Sequence, residues 1–274
     1  MTTQAPHACE TCPVHNVGNL IKLGVDMKDA DFVIALAGNP NTGKSTVFNA
    51  LTGLRQHTGN WPGKTVTRSE GGFIFDGHRY KIVDLPGTYS LLSTSTDEDI
   101  ARNFILFGQP DVTVIVVDAT RLERNLNLVL QVLEITDRAV VCLNLSDEAK
   151  RNGFQVDDRL LAKELGVPAI PTAARQGVGI TELLQAINDV ATGAYVCRPR
   201  RIRSHSASLE HAVQLLSKEL EREFLGLKNA RWVALRLLDG DSHIMDAVRN
   251  GDLAGLIQAD TNRATQTIEN EELV

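Results

Sequence analysis

Gly38-Asn39-Pro40-Asn41-Thr42-Gly43-Lys44-Ser45 is the stretch that decides the fold. Gly38, Gly43, Lys44 and Ser45 occupy every fixed position of the phosphate-binding pattern G-x-x-x-x-G-K-[ST]. The residue types follow from the chemistry. Two glycines let the backbone curl into a nest of N–H groups. Lys44 supplies positive charge for β- and γ-phosphates, and the Ser45 hydroxyl is placed to hold Mg²⁺. A helix starting here turns the positive end of its dipole towards the same anion. Phe32 to Ala37 is an apolar run of strand length before the loop, and Thr46 to Leu51 reads as the helix after it. A chance match on a Gly-rich turn would lack that strand–loop–helix order.

Outward from this unit the chain alternates strand and helix. Gly72 to Phe75 and Tyr80 to Val83 flank Asp76-Gly77, a hairpin signal. Val112 to Val117 and Ala139 to Leu143 are continuous apolar runs, as buried parallel strands should be, and Val167 to Ile170 is a shorter third. Helical patterns separate them at Asp97 to Phe107, Leu122 to Thr136, Asp157 to Leu165 and Ile180 to Ala191. Gly166 and Gly193 sit where C-terminal caps belong. Residues 31–193 therefore read as an open, mostly parallel α/β sheet with helices on both faces.

The flanks differ. Residues 1–30 are polar and irregular and read as a flexible extension. They carry His7, Cys9, Cys12 and His15, a donor set suited to zinc or another soft metal, with a solvated tail as the alternative. Residues 194–205 read as a linker, with the basic run Arg198 to Arg203 as a solvated connection. Leu209, Val213, Leu216 and Leu220 then recur at helical spacing, and Val233, Leu235, Leu237 and Leu238 follow. With short helices expected at Ile244 to Val248 and Leu253 to Ile257, residues 206–262 read as a small all-α subdomain. Residues 263–274 are polar and acidic and read as a disordered tail.

Composition bounds the function. Twenty-eight Lys and Arg against 34 Asp and Glu give a net charge of −6, which argues against nucleic acid as the main partner. No apolar stretch reaches the roughly 18 residues of a membrane span, and no signal peptide pattern opens the chain. Four cysteines without a framework spacing suit reduced thiols and a cytosolic setting.

Four further stretches narrow "nucleoside triphosphate". Asp84-Leu85-Pro86-Gly87 ends a strand, where Asp84 can reach Mg²⁺ through water and the Gly87 N–H can face the γ-phosphate. Before it, Gly59 to Val66 reads as a Gly-rich loop carrying Thr65, a second candidate hydroxyl ligand for Mg²⁺. Asn144-Leu145-Ser146-Asp147 ends the Ala139 strand, and a carboxylate there can accept from guanine N1–H and N2–H₂ together. Thr172-Ala173-Ala174 follows the last strand, where a backbone N–H could meet the base carbonyl.

This ordered set resembles the Ras-like P-loop GTPases. Gly-Asn-Pro-Asn-x-Gly-Lys-Ser, Gly-Asn-Trp-Pro-Gly-x-Thr-Val and Asp-Leu-Pro-Gly-Thr-Tyr-Ser-Leu further resemble the N-terminal cytosolic region of the bacterial ferrous iron transporter B family. Arg231-Trp232 through Asp241 is similar to that family's helical subdomain, so the resemblance covers about residues 31–262. It implies a GTP-hydrolysing domain that regulates or drives Fe²⁺ uptake. It implies that Gly38, Asn39, Pro40, Asn41, Thr42, Gly43, Lys44, Ser45 and Thr46 hold the phosphates, with Lys44, Asn41 and Gly87 acting in catalysis. Gly63, Lys64, Thr65, Val66 and Thr67 would form the first switch, and Asp84 to Gly87 would open the second. Asn144 and Asp147 would read the base. Ser45, Thr65 and Asp84 would serve Mg²⁺, and Asn41 would help coordinate K⁺, which can replace an arginine finger. The family's membrane-spanning domain, absent from this sequence, would be the partner, with small regulatory proteins and a second copy as further candidates. The setting would be the cytoplasmic face of the inner membrane.

Some positions depart from the pattern. Thr88 follows Gly87 where Ras-like enzymes carry a water-orienting Gln, so turnover is expected below the roughly 1–100 s⁻¹ of kinases. Leu145 stands where many GTPases have Lys, and Ala173 where Ser is common, which makes ATP a further candidate substrate. Lys64 occupies a switch position where the family usually has a small apolar residue. Two rivals share the motifs: an RNA- or ribosome-associated assembly GTPase, and a nucleotide sensor that hardly hydrolyses.

Overall fold

The computed structural model describes residues 20, 23–25, 30–53, 56–92, 95–201, 206–224, 227 and 229–250. Its order is β1 (Phe32–Gly38), α1 (Lys44–Thr52), β2 (Gln56–Asn60), β3 (Thr67–Phe75), β4 (His78–Asp84), α2 (Thr96–Gly108), β5 (Val112–Asp118), α3 (Leu122–Ile135), β6 (Ala139–Asn144), α4 (Ser146–Arg151), α5 (Asp158–Leu165), β7 (Ala169–Pro171), α6 (Ile180–Thr192), α7 (Ala207–Glu223), α8 (Ala230–Leu238) and α9 (Ser242–Arg249).

Seven strands form one sheet in the order β2-β3-β4-β1-β5-β6-β7. The β4-β1-β5-β6-β7 pairings are parallel, and β2-β3-β4 are antiparallel. Alternation along β1 sorts the core into two layers. Val33, Ala35 and Ala37 face a cluster with Phe104 of α2 and Val132 of α3, and Ile34 and Leu36 face Phe48 of α1 and Ile187 of α6. Both sheet faces are covered, which is why the central strands read as unbroken apolar runs. Trp232 and Val233 of α8 and Val213 of α7 belong to the first layer, so the C-terminal helices pack on the α2–α3 face. Among the described residues no helix is long and apolar enough to cross a membrane.

Several expectations need correction. Residues 59–66 are not one loop: Gly59 and Asn60 end β2, opposite Arg68 and Thr67 of β3. Backbone pairing at the sheet edge, rather than apolar alternation, makes that polar strand. The last strand is Ala169–Pro171, shifted from Val167 to Ile170, because Val141 to Leu143 pair with residues 169 to 171. Leu20 and Val25, within the stretch expected to be a flexible extension, are buried. In the basic stretch, Arg198 and Arg200 are exposed, yet the backbone is tied down. The Arg198 and Arg200 N–H groups donate to Gly166 O and Leu165 O at 2.8 and 3.0 Å. Arg201 pairs with Asp137 at 2.6 Å, tying this segment to the end of α3. The Leu253 to Ile257 helix, the 263–274 tail and the His7, Cys9, Cys12 and His15 group lie outside the described residues.

Candidate nucleotide site

In a sheet whose main strands run parallel, their carboxyl ends share one edge. The ends of β1, β4, β6 and β7 bring Gly38, Asp84, Asn144 and Pro171 to that edge. The candidate motifs therefore converge by topology, although they are spread along the chain from Gly38 to Pro171.

The loop after β1 has no slack. A Cβ on Gly38 would lie 2.6 Å from Val116 O. Gly43 has φ +79°, and a Cβ there would lie 2.4 Å from Asn144 Nδ2. Both positions require glycine for close backbone approach. α1 begins at Gly43 without a side-chain cap and with no acidic residue in its first turn. By contrast α2 is capped by Ser95, whose hydroxyl accepts from the Glu98 N–H at 3.2 Å, and carries Asp97, Glu98 and Asp99 in its first turn. The positive end of the α1 dipole is thus left for an anion from outside the chain. Ser45 and Thr46 are exposed there, and so is Asn41, which sits at φ +66°.

Lys44 and Asp84 meet across this edge. Lys44 Nζ forms an ion pair with Asp84 and donates to Leu85 O at 2.8 Å. Burial pushes the Asp84 carboxyl above the ordinary aspartate value, while the Lys44 ammonium pulls it back. The segment after β4 is seated on the loop: the Thr88 N–H donates to Gly38 O at 3.3 Å, and Gly87 lies against Pro40. Pro86 is half-buried, Leu85 is in the core and Thr88 is buried. Across the edge from these, Gly63, Lys64 and Thr65 are exposed between β2 and β3, with Val66 half-buried and Thr67 opening β3.

The β6 and β7 ends are braced by Asn144. Its side chain, 2% exposed, donates to Thr42 O at 2.9 Å and accepts from the Ala174 N–H at 3.1 Å. The Thr172 hydroxyl also lies 3.5 Å from Asn144 Oδ1. Asn144 therefore ties the loop after β1 to the segment after β7, a bracing duty that the sequence does not announce. The N–H groups of Thr172 and Ala173 donate to Leu143 O and Val178 O at 2.8 and 3.0 Å. With the Ala174 N–H given to Asn144, all three N–H groups of this stretch have partners within the chain, as backbone satisfaction in a buried turn requires.

Asp147 stays accessible. One carboxylate oxygen accepts from Gln176 Nε2 at 2.8 Å and from Arg151 at 3.3 Å. Gln176 was not legible as a partner, because nothing in its spacing marks it. Leu145, between Asn144 and half-buried Ser146, sits at φ +60°, so an aliphatic side chain occupies a left-handed position at this corner. Behind the corner, the Cys142 thiol lies 3.1 Å from the Thr172 hydroxyl, and burial pushes its pKa up to about 12. Cys142 should therefore resist alkylation at mildly alkaline pH in the folded protein and react after denaturation, which a mass-spectrometric thiol count would read.

Comparison with known proteins decides the family. A profile described as ferrous iron transport protein B matches residues 32–187, and one described as the FeoB cytosolic helical domain matches residues 205–273. The chain belongs to the ferrous iron transport protein B family. It is 41% identical over 218 residues to the Fe(2+) transporter FeoB of Salmonella typhimurium, covering 76% of this chain and 27% of that protein. The chain thus spans about a quarter of the length of such FeoB relatives. The cytosolic domain of the T. maritima FeoB iron transporter in a GDP form superimposes with a TM-score of 0.74 at 33% identity, covering 87% of this chain and 98% of that one. The cytosolic domain of L. pneumophila FeoB gives 0.72 at 35% identity, covering 83% and 88%. The FeoB fold here is therefore a P-loop GTPase fold followed by a helical domain.

Proposed function

We propose that this chain binds and hydrolyses GTP as the cytosolic part of a ferrous iron transporter, with nucleotide-dependent switch loops regulating or driving Fe²⁺ uptake. The observation that carries the reading is the phosphate loop itself: an uncapped α1 N-terminus, glycines where a Cβ would clash, and Lys44 and Asp84 meeting beside it. The reading divides the chain into a G domain over 31–193 and a helical subdomain over 206–262. Its setting is the cytoplasmic face of the inner membrane. Its partner is a membrane-spanning domain, with small regulatory proteins and a second copy as further candidates.

Hard oxygen donors suit Mg²⁺, and among the described residues no group of three or more His, Cys, Asp or Glu forms a metal cage. The Ser45 hydroxyl and Asp84 carboxylate, with Thr65 delivered by the first switch, would hold Mg²⁺ shared with phosphate oxygens. The ion would neutralise charge developing on them. Lys44 would exchange Asp84 for the β- and γ-phosphates. The Gly87 N–H would meet the γ-phosphate as the segment from Asp84 closes on the loop. Asp147, held on one side by Gln176 and Arg151, would accept from the guanine edge. Thr88 is buried and short, which supports slow turnover because no side-chain amide is there to orient water. Exposed Asn41 would offer its amide oxygen to K⁺.

Phosphate release from GTP and from ATP, each in KCl and in NaCl, tests the reading. GTP hydrolysis should be faster in KCl than in NaCl. Equal rates would remove K⁺ and Asn41 from catalysis. Equal rates for GTP and ATP would make Leu145 and Ala173 the cause of a relaxed base site, and no release from either would leave a nucleotide sensor.

A further inference from the structure

The segment before β1 lies ahead of residue 32, where the match to the family profile begins. It is nevertheless built into the fold. Leu20 is 0% exposed and Val25 1%, and the Val25 N–H donates to Leu20 O at 2.8 Å, closing a tight turn. A Cβ on Gly108, at the end of α2, would lie 3.0 Å from Leu23 and 3.3 Å from Leu20. Both leucines thus rest on the helix that follows the second switch.

The other side of the same turn grips the first switch. Arg68 donates to Leu23 O at 3.0 Å and to Gly24 O at 2.7 Å. Its guanidinium lies 5.5 Å from the centre of the Trp61 ring, and Glu70 pairs with it at 2.8 Å. Trp61 is 4% exposed and meets Phe104 of α2 edge-on at 5.5 Å. Gly24 has φ +86°, and a Cβ there would lie 2.4 Å from Arg68 and 3.0 Å from Pro62. One short segment therefore touches α2, Pro62 and Arg68, which flank the loop carrying Thr65.

We propose that Leu20, Leu23, Gly24 and Val25 form an intramolecular clamp on the first switch, with Arg68 as its positioning residue. The inference rests on the GTPase reading only for its effect on nucleotide. The loop from Trp61 to Val66 is closed on itself: the Trp61 N–H donates to Val66 O and the Lys64 N–H to Trp61 O, both at 3.0 Å. Thr65 stands four residues before Ser69, the partner of Asp84 across β3 and β4. Thr67, the first residue of β3, stands about 7 Å along the strand from Ser69, and Thr65 lies in the exposed loop beyond it. Thr65 reaches a cation at Ser45 only if the loop swings towards α1, and the clamp holds the root of that swing. A ligand needing the swung loop binds with its affinity reduced by the fraction of molecules already released. Two charge-assisted hydrogen bonds to backbone carbonyls and two buried apolar side chains make that fraction small.

The chain has two tryptophans, so Trp232→Phe leaves Trp61 as the reporter. Acrylamide quenching without nucleotide, and affinities for GDP and a non-hydrolysable GTP analogue, are measured in this parent and three derivatives. Gly24→Ala pushes Arg68 out from one side, Leu20→Ala with Leu23→Ala loosens the α2 side, and Arg68→Lys keeps the charge but loses the two-carbonyl grip. Each should make Trp61 several-fold more quenchable and raise the analogue-to-GDP affinity ratio about fivefold. Unchanged quenching and an unchanged ratio overturn the clamp, as does a lower melting temperature with both readouts unmoved. If no protein binds nucleotide the GTPase reading fails, while quenching alone still decides the clamp. Should one variant not fold, the others approach the same contact from different sides.

Discussion

Lys44→Ala is expected to abolish triphosphate binding, a loss of a hundredfold or more by titration calorimetry with GTP. Lys44 is the cation of the loop, and its side chain is mostly buried beside Asp84. Removing one partner of a largely buried charge interaction costs roughly 3–5 kcal/mol, and each 1.4 kcal/mol is about tenfold in affinity. The variant has a second signature, in stability. With Lys44 gone, nothing opposes the burial that already raises the Asp84 carboxyl. A folded-state value above the unfolded one means that the folded protein binds more protons across that interval. Stability then falls as pH rises from the ordinary aspartate value through the raised one. Lys44→Ala should therefore melt lower at neutral than at mildly acidic pH, relative to the parent. Adding Asp84→Asn should flatten that difference. Unchanged GTP binding in Lys44→Ala would sink the assignment of the loop.

How much of this was legible in sequence follows from what each element is made of. β1, β5 and β6 are buried on both faces, so their apolar runs could be read directly, and the loop after β1 carries its own chemistry. β2, Gln56–Asn60, has no apolar alternation and exists because β3 offers backbone partners, which no local pattern announces. The burial of Leu20 and Val25 was hidden differently. Asn19-Leu20-Ile21-Lys22-Leu23-Gly24-Val25 is an apolar island in a polar tail, and that island was the signal to follow. The Arg198 run looked solvated by charge, yet its backbone is bound to Leu165 and Gly166. At the site, the positions of Asp84 at the end of β4 and of Asp147 just past β6 were legible from the order of the motifs. The duty of Asn144 was not. Spacing cannot tell an amide that faces a ligand from one that satisfies buried backbone.

That distinction can be measured by setting Asn144→Ala against Asp147→Asn. Asn144→Ala removes the donor to Thr42 O and the acceptor for the Ala174 N–H, both in buried residues. Each backbone group left unpaired costs about 1–3 kcal/mol, so the folded state should lose roughly 2–6 kcal/mol in a denaturant titration. The loop carrying the phosphates loses its tie to the β7 end, so GTP and ATP affinities should fall together. Asp147→Asn behaves otherwise. Its carboxylate is accessible and steadied by Gln176 and Arg151 rather than buried, so stability should change little. The new amide has one acceptor oxygen where the guanine edge offers two donors, and it presents an N–H₂ to one of them. GTP affinity should therefore drop about tenfold or more, the worth of a charged hydrogen bond, with ATP nearly unaffected. If Asn144→Ala weakened GTP while sparing ATP, Asn144 would be touching the base and the brace would be wrong. If Asp147→Asn weakened both nucleotides equally, the carboxylate would be holding the β6 corner in shape and base selection would lie elsewhere on this edge.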